Sequence, residues 1–192
     1  RLQGGKCLVL DALAAQQFVV IARTSGVPGD SAGLTAFLVA ADAVGLTVEQ
    51  RSLVDSRGVG ALELNGVDVA ASAVLGEVDA AWNGLTRSLD IANIGLAAEL
   101  LGVATEAFER TVEYLKERKQ FGKVIGSFQG LQHRAAELFA ELELARSIVL
   151  KALQAVDAGD PQLPLLASAA KAKLCEVAQR ATNEGIQMHG GI

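Results

Sequence analysis

A chain of 192 residues with 51% apolar and only 4% aromatic content has room for one or two modest domains packed from Ala, Leu and Val. Its formal net charge of −5 argues against a nucleic-acid surface. No uninterrupted apolar run reaches the roughly 20 residues of a membrane-spanning helix, and Arg1–Leu2–Gln3–Gly4–Gly5 is not the basic start of a signal peptide. Cys7 and Cys175 fall in different predicted elements without metal-ligand neighbours at useful spacing. The expectation is a reducing, cytoplasmic setting with neither a disulfide framework nor a metal site.

The first part of the chain, residues 1–76, reads as β-rich. Gln17–Phe18–Val19–Val20–Ile21–Ala22 and Leu34–Thr35–Ala36–Phe37–Leu38–Val39 are apolar runs bounded by turn signals such as Pro28–Gly29–Asp30–Ser31. Leu62, Leu64, Val67 and Val69 are apolar with polar residues between them, and Asn65–Gly66 predicts a tight turn or a bulge. Strands this short suggest a small barrel or sandwich.

Residues 77–192 change to a helical period. Leu89, Ala92, Leu96, Leu100, Val103, Ala107 and Leu115 predict one helix. Phe128, Leu131, Ala135, Leu138, Leu142, Ala145, Val149, Ala152 and Val156 predict a second, the clearest in the chain. Gly159 stops it, and Asp160 as N-cap with Pro161 at the first helical position starts a third through Leu165, Ala169, Leu174, Val177, Ala181 and Met188. Gly190–Gly191 ends that one. The fold class is therefore α+β: a small barrel- or sandwich-like domain followed by an up-down helical bundle, read as an incomplete four-helix bundle. The abrupt start and the stop at Ile192 predict missing pieces on both sides.

Arg118–Lys119–Gln120–Phe121–Gly122–Lys123, with Ser127–Phe128–Gln129 after it, is the most informative stretch. Cations in a last helical turn followed by glycine form an ordinary helix end. The same residues also suit a ligand: a planar guanidinium on phosphate oxygens, an aromatic ring on a flat heterocycle, and amides from Gln129 and Gln132. His189 at a helix end serves equally as a dipole partner, and His133 receives no role.

The block from Tyr114 to Gln129 resembles the acyl-CoA dehydrogenase signature. So do Ala145–Arg146, Asp157–Ala158–Gly159, Ala170–Lys171–Ala172–Lys173 and Ile186–Gln187–Met188–His189–Gly190–Gly191. In the β-like part, Phe37–Leu38–Val39, Arg57–Gly58, Val67–Asp68–Val69 and Leu75–Gly76–Glu77 match in order. The resemblance implies a β-domain on a helical bundle, FAD between them and an acyl-CoA thioester beside the flavin. It implies FAD contacts from Arg118, Gln120, Phe121 and Gln129. Gln187, Met188, His189, Gly190 and Gly191 would line the FAD of a neighbouring subunit. Substrate contacts would fall on Asp90 and Asn93. Electron-transfer flavoprotein or a similar acceptor, and a homodimer, homotetramer or heteromer, are the implied partners.

Three departures stand out. Where family members often show Lys-x-Trp-Ile-Thr, the text is Lys6–Cys7–Leu8–Val9–Leu10, and leucines donate no hydrogen bond. Where they often show Leu-Asp-x-x-Arg, Asn93 replaces the arginine. Removing the proton α to a thioester needs a carboxylate base, and Ala92 holds one of the two family positions for it, so no catalytic residue is assigned. These departures resemble a heteromer-forming, actinobacterial-type branch acting on lipid or steroid side chains. Three readings result: an FAD-dependent acyl-CoA dehydrogenase, a non-catalytic partner subunit of one, or a flavin-free helical scaffold.

Overall fold

The computed structural model describes Arg1–Gly191; Ile192 lies outside the described residues. The chain forms two compact units, Arg1–Leu85 and a second from Thr86 onward.

The first unit holds β1 (Leu2–Leu10), β2 (Gln17–Arg23), β3 (Leu34–Ala40), β4 (Leu46–Arg51), β5 (Val59–Val67) and β6 (Val74–Leu75). They make two antiparallel three-stranded sheets, ordered β1-β5-β4 and β2-β3-β6, without closing into a barrel. Alternate residues of both sheets point into one core: Leu2, Leu62, Leu64 and Val67 from one, Phe18, Val20, Phe37 and Val39 from the other. The sandwich alternative is the one realised. Asn65–Gly66 is a bulge rather than a hairpin turn. β5 continues through it, Leu2 pairs Val67 while Gln3 pairs Asn65, and Gly66 adopts φ 69°. A second irregularity in β1, between Lys6 and Val9, puts Leu8 at φ 53°. At the far end of the unit, the buried Thr35 hydroxyl meets Thr24 Oγ1 at 2.6 Å and accepts from Asp79 N at 2.8 Å. That node satisfies polar groups which would otherwise be costly to bury.

The helical unit contains α1 (Ala81–Glu117), whose first turn begins in the β unit, α2 (Gln129–Ala158) and α3 (Leu163–Met188). Its core is built on Ile94, Ala97 and Ala104 from α1, Leu138, Leu142, Ala145, Val149 and Ala152 from α2, and Leu174, Val177 and Ala181 from α3. The stripe expected for α2 is the one buried. The stripe expected for α1 is buried only in part: Leu115 is inside and Leu100 packs on the core, but Leu89, Leu96 and Val103 are 44–53% exposed, and Ala97 and Ala104, next to Leu96 and Val103, are inside. Small side chains let helices approach closely, so Ala97 and Ala104 take the inner face and the larger leucines flank it. The third helix starts later than expected. Asp160 and Pro161 lie in the connecting turn, where Asp160 accepts Gln162 N–H at 2.8 Å, and Leu165 is 67% exposed while Leu163 is buried. Gly159 closes α2 in the left-handed conformation, as its position suggested.

Among the described residues α1 alone is long and apolar enough to cross a membrane, with an 18-residue window of mean hydropathy 1.4. No single apolar run in the text gave that signal, because polar residues interrupt the window; a helix of a water-soluble bundle has the same composition.

Ion pairs lace α2 to α3: Arg134 with Glu184, Glu137 with Arg180, and Glu141 with Lys173. Hydrogen bonding from Lys173, then its charge, holds the Glu141 carboxyl below its ordinary range. A depressed carboxylate contributes stability that is full above its unfolded value of about 4.3 and is lost as pH falls through the folded value. Glu141→Gln is therefore expected to flatten the acid limb of the stability profile below about pH 4.3, measured by urea midpoints across pH. An acid limb as steep as the wild type's would refute the assignment.

Candidate functional site

The segment after α1 does not simply end a helix. Lys119–Gln120 (β7) and Lys123–Val124 (β8) pair as a miniature hairpin, Lys119 opposite Val124 and Gln120 opposite Lys123. The two-residue loop is Phe121–Gly122, with φ of 54° and 78°. Both central residues positive is the geometry of a type I′ turn. Glycine adopts it freely, whereas phenylalanine bears roughly 1–2 kcal/mol of strain there. The outcome is a ring 89% exposed at the hairpin tip. It meets the Phe128 ring edge-on at 6.1 Å, and Lys123 Nζ lies 4.3 Å over Phe128 from the other strand.

A 3₁₀ turn, Ile125–Ser127, folds this hairpin back onto α1. Ile125 N donates to Arg118 O at 2.8 Å, and Gln132 Nε2 donates to Gly126 O at 2.9 Å. Gly126 passes so near α1 that a Cβ there would stand 2.7 Å from Leu115 O. Gly126→Ala must displace backbone, at about 1–3 kcal/mol. The expected result is a lower melting temperature with weakened ligand binding at the hairpin; a variant that melts like wild type would show that the turn is loosely held.

Arg118 follows α1 directly and is exposed, and its guanidinium has no hydrogen-bond or ion-pair partner among the described residues. Gln120 and Gln129 are exposed on the hairpin and at the first position of α2. Below them a cleft of about 400 Å³ is lined by Phe121, Phe128, Leu131 and Arg134. Arg134 is already engaged: it donates twice to Glu184, at 2.6 and 3.0 Å, and that bond raises its pKa above the usual arginine value. Arg118, by contrast, is a cation left available for an anion.

The second predicted cluster closes α3. Gln187, His189, Gly190 and Gly191 are exposed, while Met188 is buried and its side chain belongs to the interior. Gly191 N donates to Ile186 O at 2.8 Å and Gly190 N to Gln187 O at 3.2 Å, which satisfies the last carbonyls of the helix. The His189 ring stacks on Tyr114 of α1 with centroids 4.2 Å apart. Tyr114 lies one turn before Arg118, so both predicted clusters occupy one end of the helical unit. The sequence gives no warning of that contact, because the partners are remote in the chain and neither lies in an apolar stripe.

Asp90 and Asn93 are half-buried on α1. They precede Arg118 by about seven to eight turns, roughly 37 to 42 Å at ~1.5 Å per residue. One chain does not bring these two sets together.

A strand unit followed by a helical unit is an arrangement with counterparts among known proteins. Residues 82–192 match the family model described as acyl-CoA dehydrogenase, C-terminal domain. Over the whole chain it is 36% identical to the rat mitochondrial short/branched chain specific acyl-CoA dehydrogenase, of which it covers 44%. Butyryl-CoA dehydrogenase from Megasphaera elsdenii superposes with a TM-score of 0.91 at 33% identity, covering 99% of this chain and 50% of that one. The ChsE4-ChsE5 complex from Mycobacterium tuberculosis gives 0.83 at 31% identity, over 100% and 49%. The chain belongs to the acyl-CoA dehydrogenase family. It spans about half the length of the curated relatives it matches.

Proposed function

We propose that this chain is part of an FAD-dependent acyl-CoA dehydrogenase that introduces an α,β double bond into an acyl-CoA thioester. The observation that carries the reading is an exposed Arg118 guanidinium, without a hydrogen-bond or ion-pair partner among the described residues, three positions before the strained, projecting Phe121. The donor set fits a flavin dinucleotide. Arg118 offers a fork for the pyrophosphate, Phe121 a face for a flat ring, and Gln120 and Gln129 offer amides. Bound FAD would supply the hydride-accepting chemistry. Gln187, His189, Gly190 and Gly191 would line a dinucleotide at the same end of the helical unit, Met188 contributing backbone alone. Asp90 and Asn93 would meet the acyl-CoA. Their distance from Arg118 favours an assembly in which the two ends come from different copies. No proton acceptor is assigned to residues of this chain. Electron-transfer flavoprotein is the proposed acceptor and the cytoplasm the proposed location.

A specific observation favours a second reading, a partner subunit in a heteromeric dehydrogenase. Leu8 and Leu10 are exposed on β1 and provide no hydrogen-bond donor where the family resemblance asks for a hydroxyl. An absorption spectrum of the purified protein separates the readings. A flavin band at one FAD per chain that bleaches with an acyl-CoA supports the enzyme, and FAD at half stoichiometry or only with a second subunit supports the partner. Absence of flavin under all these conditions would refute both and leave a helical scaffold.

A further inference from the structure

His189 ends α3 with its ring fixed at two points. Nδ1 lies 2.7 Å from Gly185 O, and the ring face stacks on Tyr114 at an interplanar angle of 25°. A carbonyl oxygen only accepts, so Nδ1 carries the proton. In the neutral ring Nε2 is then a bare lone pair, whose direction is set by the other two contacts.

That ring borders an open groove of about 470 Å³ between α1 and α3. Its walls are largely apolar, with Ala107 and Ile186 among them. Gly185 widens it, since a Cβ there would come within 3.2 Å of Thr111 Oγ1. Three other polar groups on the walls make hydrogen bonds within the protein. Thr111 Oγ1 donates to Ala107 O at 2.7 Å, Thr182 Oγ1 donates to Ala178 O at 3.0 Å, and Arg110 is held by Glu106. His189 Nε2 adds to this lining an acceptor on a ring whose orientation is fixed.

We infer that His189 reads a hydrogen-bond donor of the bound nucleotide, a hydroxyl or an exocyclic amino group, and does not hold a phosphate. The inference rests on the reading that the end of α3 lines FAD. It assigns His189 a chemical sign that the cations of the hairpin do not have: Arg118 takes the anionic part of the ligand, and His189 takes a group that itself carries a proton.

The tautomer is tested without ligand. With two histidines in the chain, ring-nitrogen NMR at mildly alkaline pH separates them, and His189 should show the Nδ1–H form. The Nε2–H form would overturn the proposal. FAD titrations by flavin fluorescence provide the second test. His189→Gln retains an acceptor and should bind within about threefold of wild type. His189→Leu and His189→Lys should weaken binding by about five- to tenfold, one hydrogen bond's worth. His189→Lys binding as tightly as wild type, or tighter, would identify a phosphate partner and refute the idea. Arg118→Ala impairing FAD binding while every His189 variant leaves it unchanged would sink this inference alone; failure of all forms to bind FAD would remove the underlying reading with it. Comparing ADP, inosine diphosphate and 2′-deoxy-ADP on His189→Leu identifies the source. Loss of the effect with inosine assigns the amino group, and loss with the deoxyribose assigns the hydroxyl. An effect on FAD without one on ADP assigns the flavin side.

Discussion

Arg118→Ala should lower FAD affinity by about ten- to a hundredfold while leaving the melting temperature where it was. The size comes from one charge-assisted hydrogen-bonding group, worth about 1.5–3 kcal/mol when its partner is left behind. The unchanged stability comes from the structure: the Arg118 guanidinium is exposed and makes no hydrogen bond or ion pair among the described residues, so truncating it removes none. Arg118→Lys should recover only part of the loss, because a point charge cannot reproduce a planar fork. Titrations of wild type and both variants, with melts alongside, decide the matter. A drop in melting temperature comparable to that of a core mutation would mean that Arg118 acts as a helix terminator and not as a ligand group.

Leu174→Ala should be the opposite kind of mutation, damaging stability first. Leu174 is fully buried in α3 within the core shared by all three helices. Removing its branched end leaves a cavity costing about 2–5 kcal/mol. Small proteins have about 5–15 kcal/mol to lose, so partial unfolding near physiological temperature is expected. Urea midpoints followed by helical circular dichroism measure the loss. Leu174→Met, which keeps volume, should cost less than about 1.5 kcal/mol. Equal costs for the two would mean that the site can collapse and that the core is less closely packed than it looks.

The outline of the molecule was readable from its text because the signals there were physical and local. β2 and β3 coincide with two apolar runs, and α2 buries the face its period marks. The face of α1 is only partly legible: Leu100 and Leu115 lie on the expected stripe, but close helix contact selects Ala97 and Ala104 over their larger neighbours Leu96 and Val103. The hairpin at Lys119–Val124 was hidden because Gly122 also suits a helix end; nothing short of a backbone distinguishes a cap from a two-residue turn with phenylalanine in its first position. The site was legible as a motif and not as a place. Arg118 and Gln129 stood close in the text, but the stacking of Tyr114 on His189, which gathers the two motifs at one end, depends on the packing of α1 against α3. The separation of Asp90 and Asn93 from that end follows from the straight run of α1 and could have been estimated from residue count alone.

The left-handed turn at Phe121 also determines when the cost of recognition is met. A ring on a flexible tether is ordered only as its ligand arrives, and the lost freedom is subtracted from affinity. Here the backbone has already adopted its unfavourable conformation during folding, and the edge-on Phe128 ring narrows the remaining freedom. The molecule gives up a little of its own folding stability to present a surface that needs no rearrangement. Phe121→Asn, which suits that conformation, would accordingly make a sturdier protein and a poorer host.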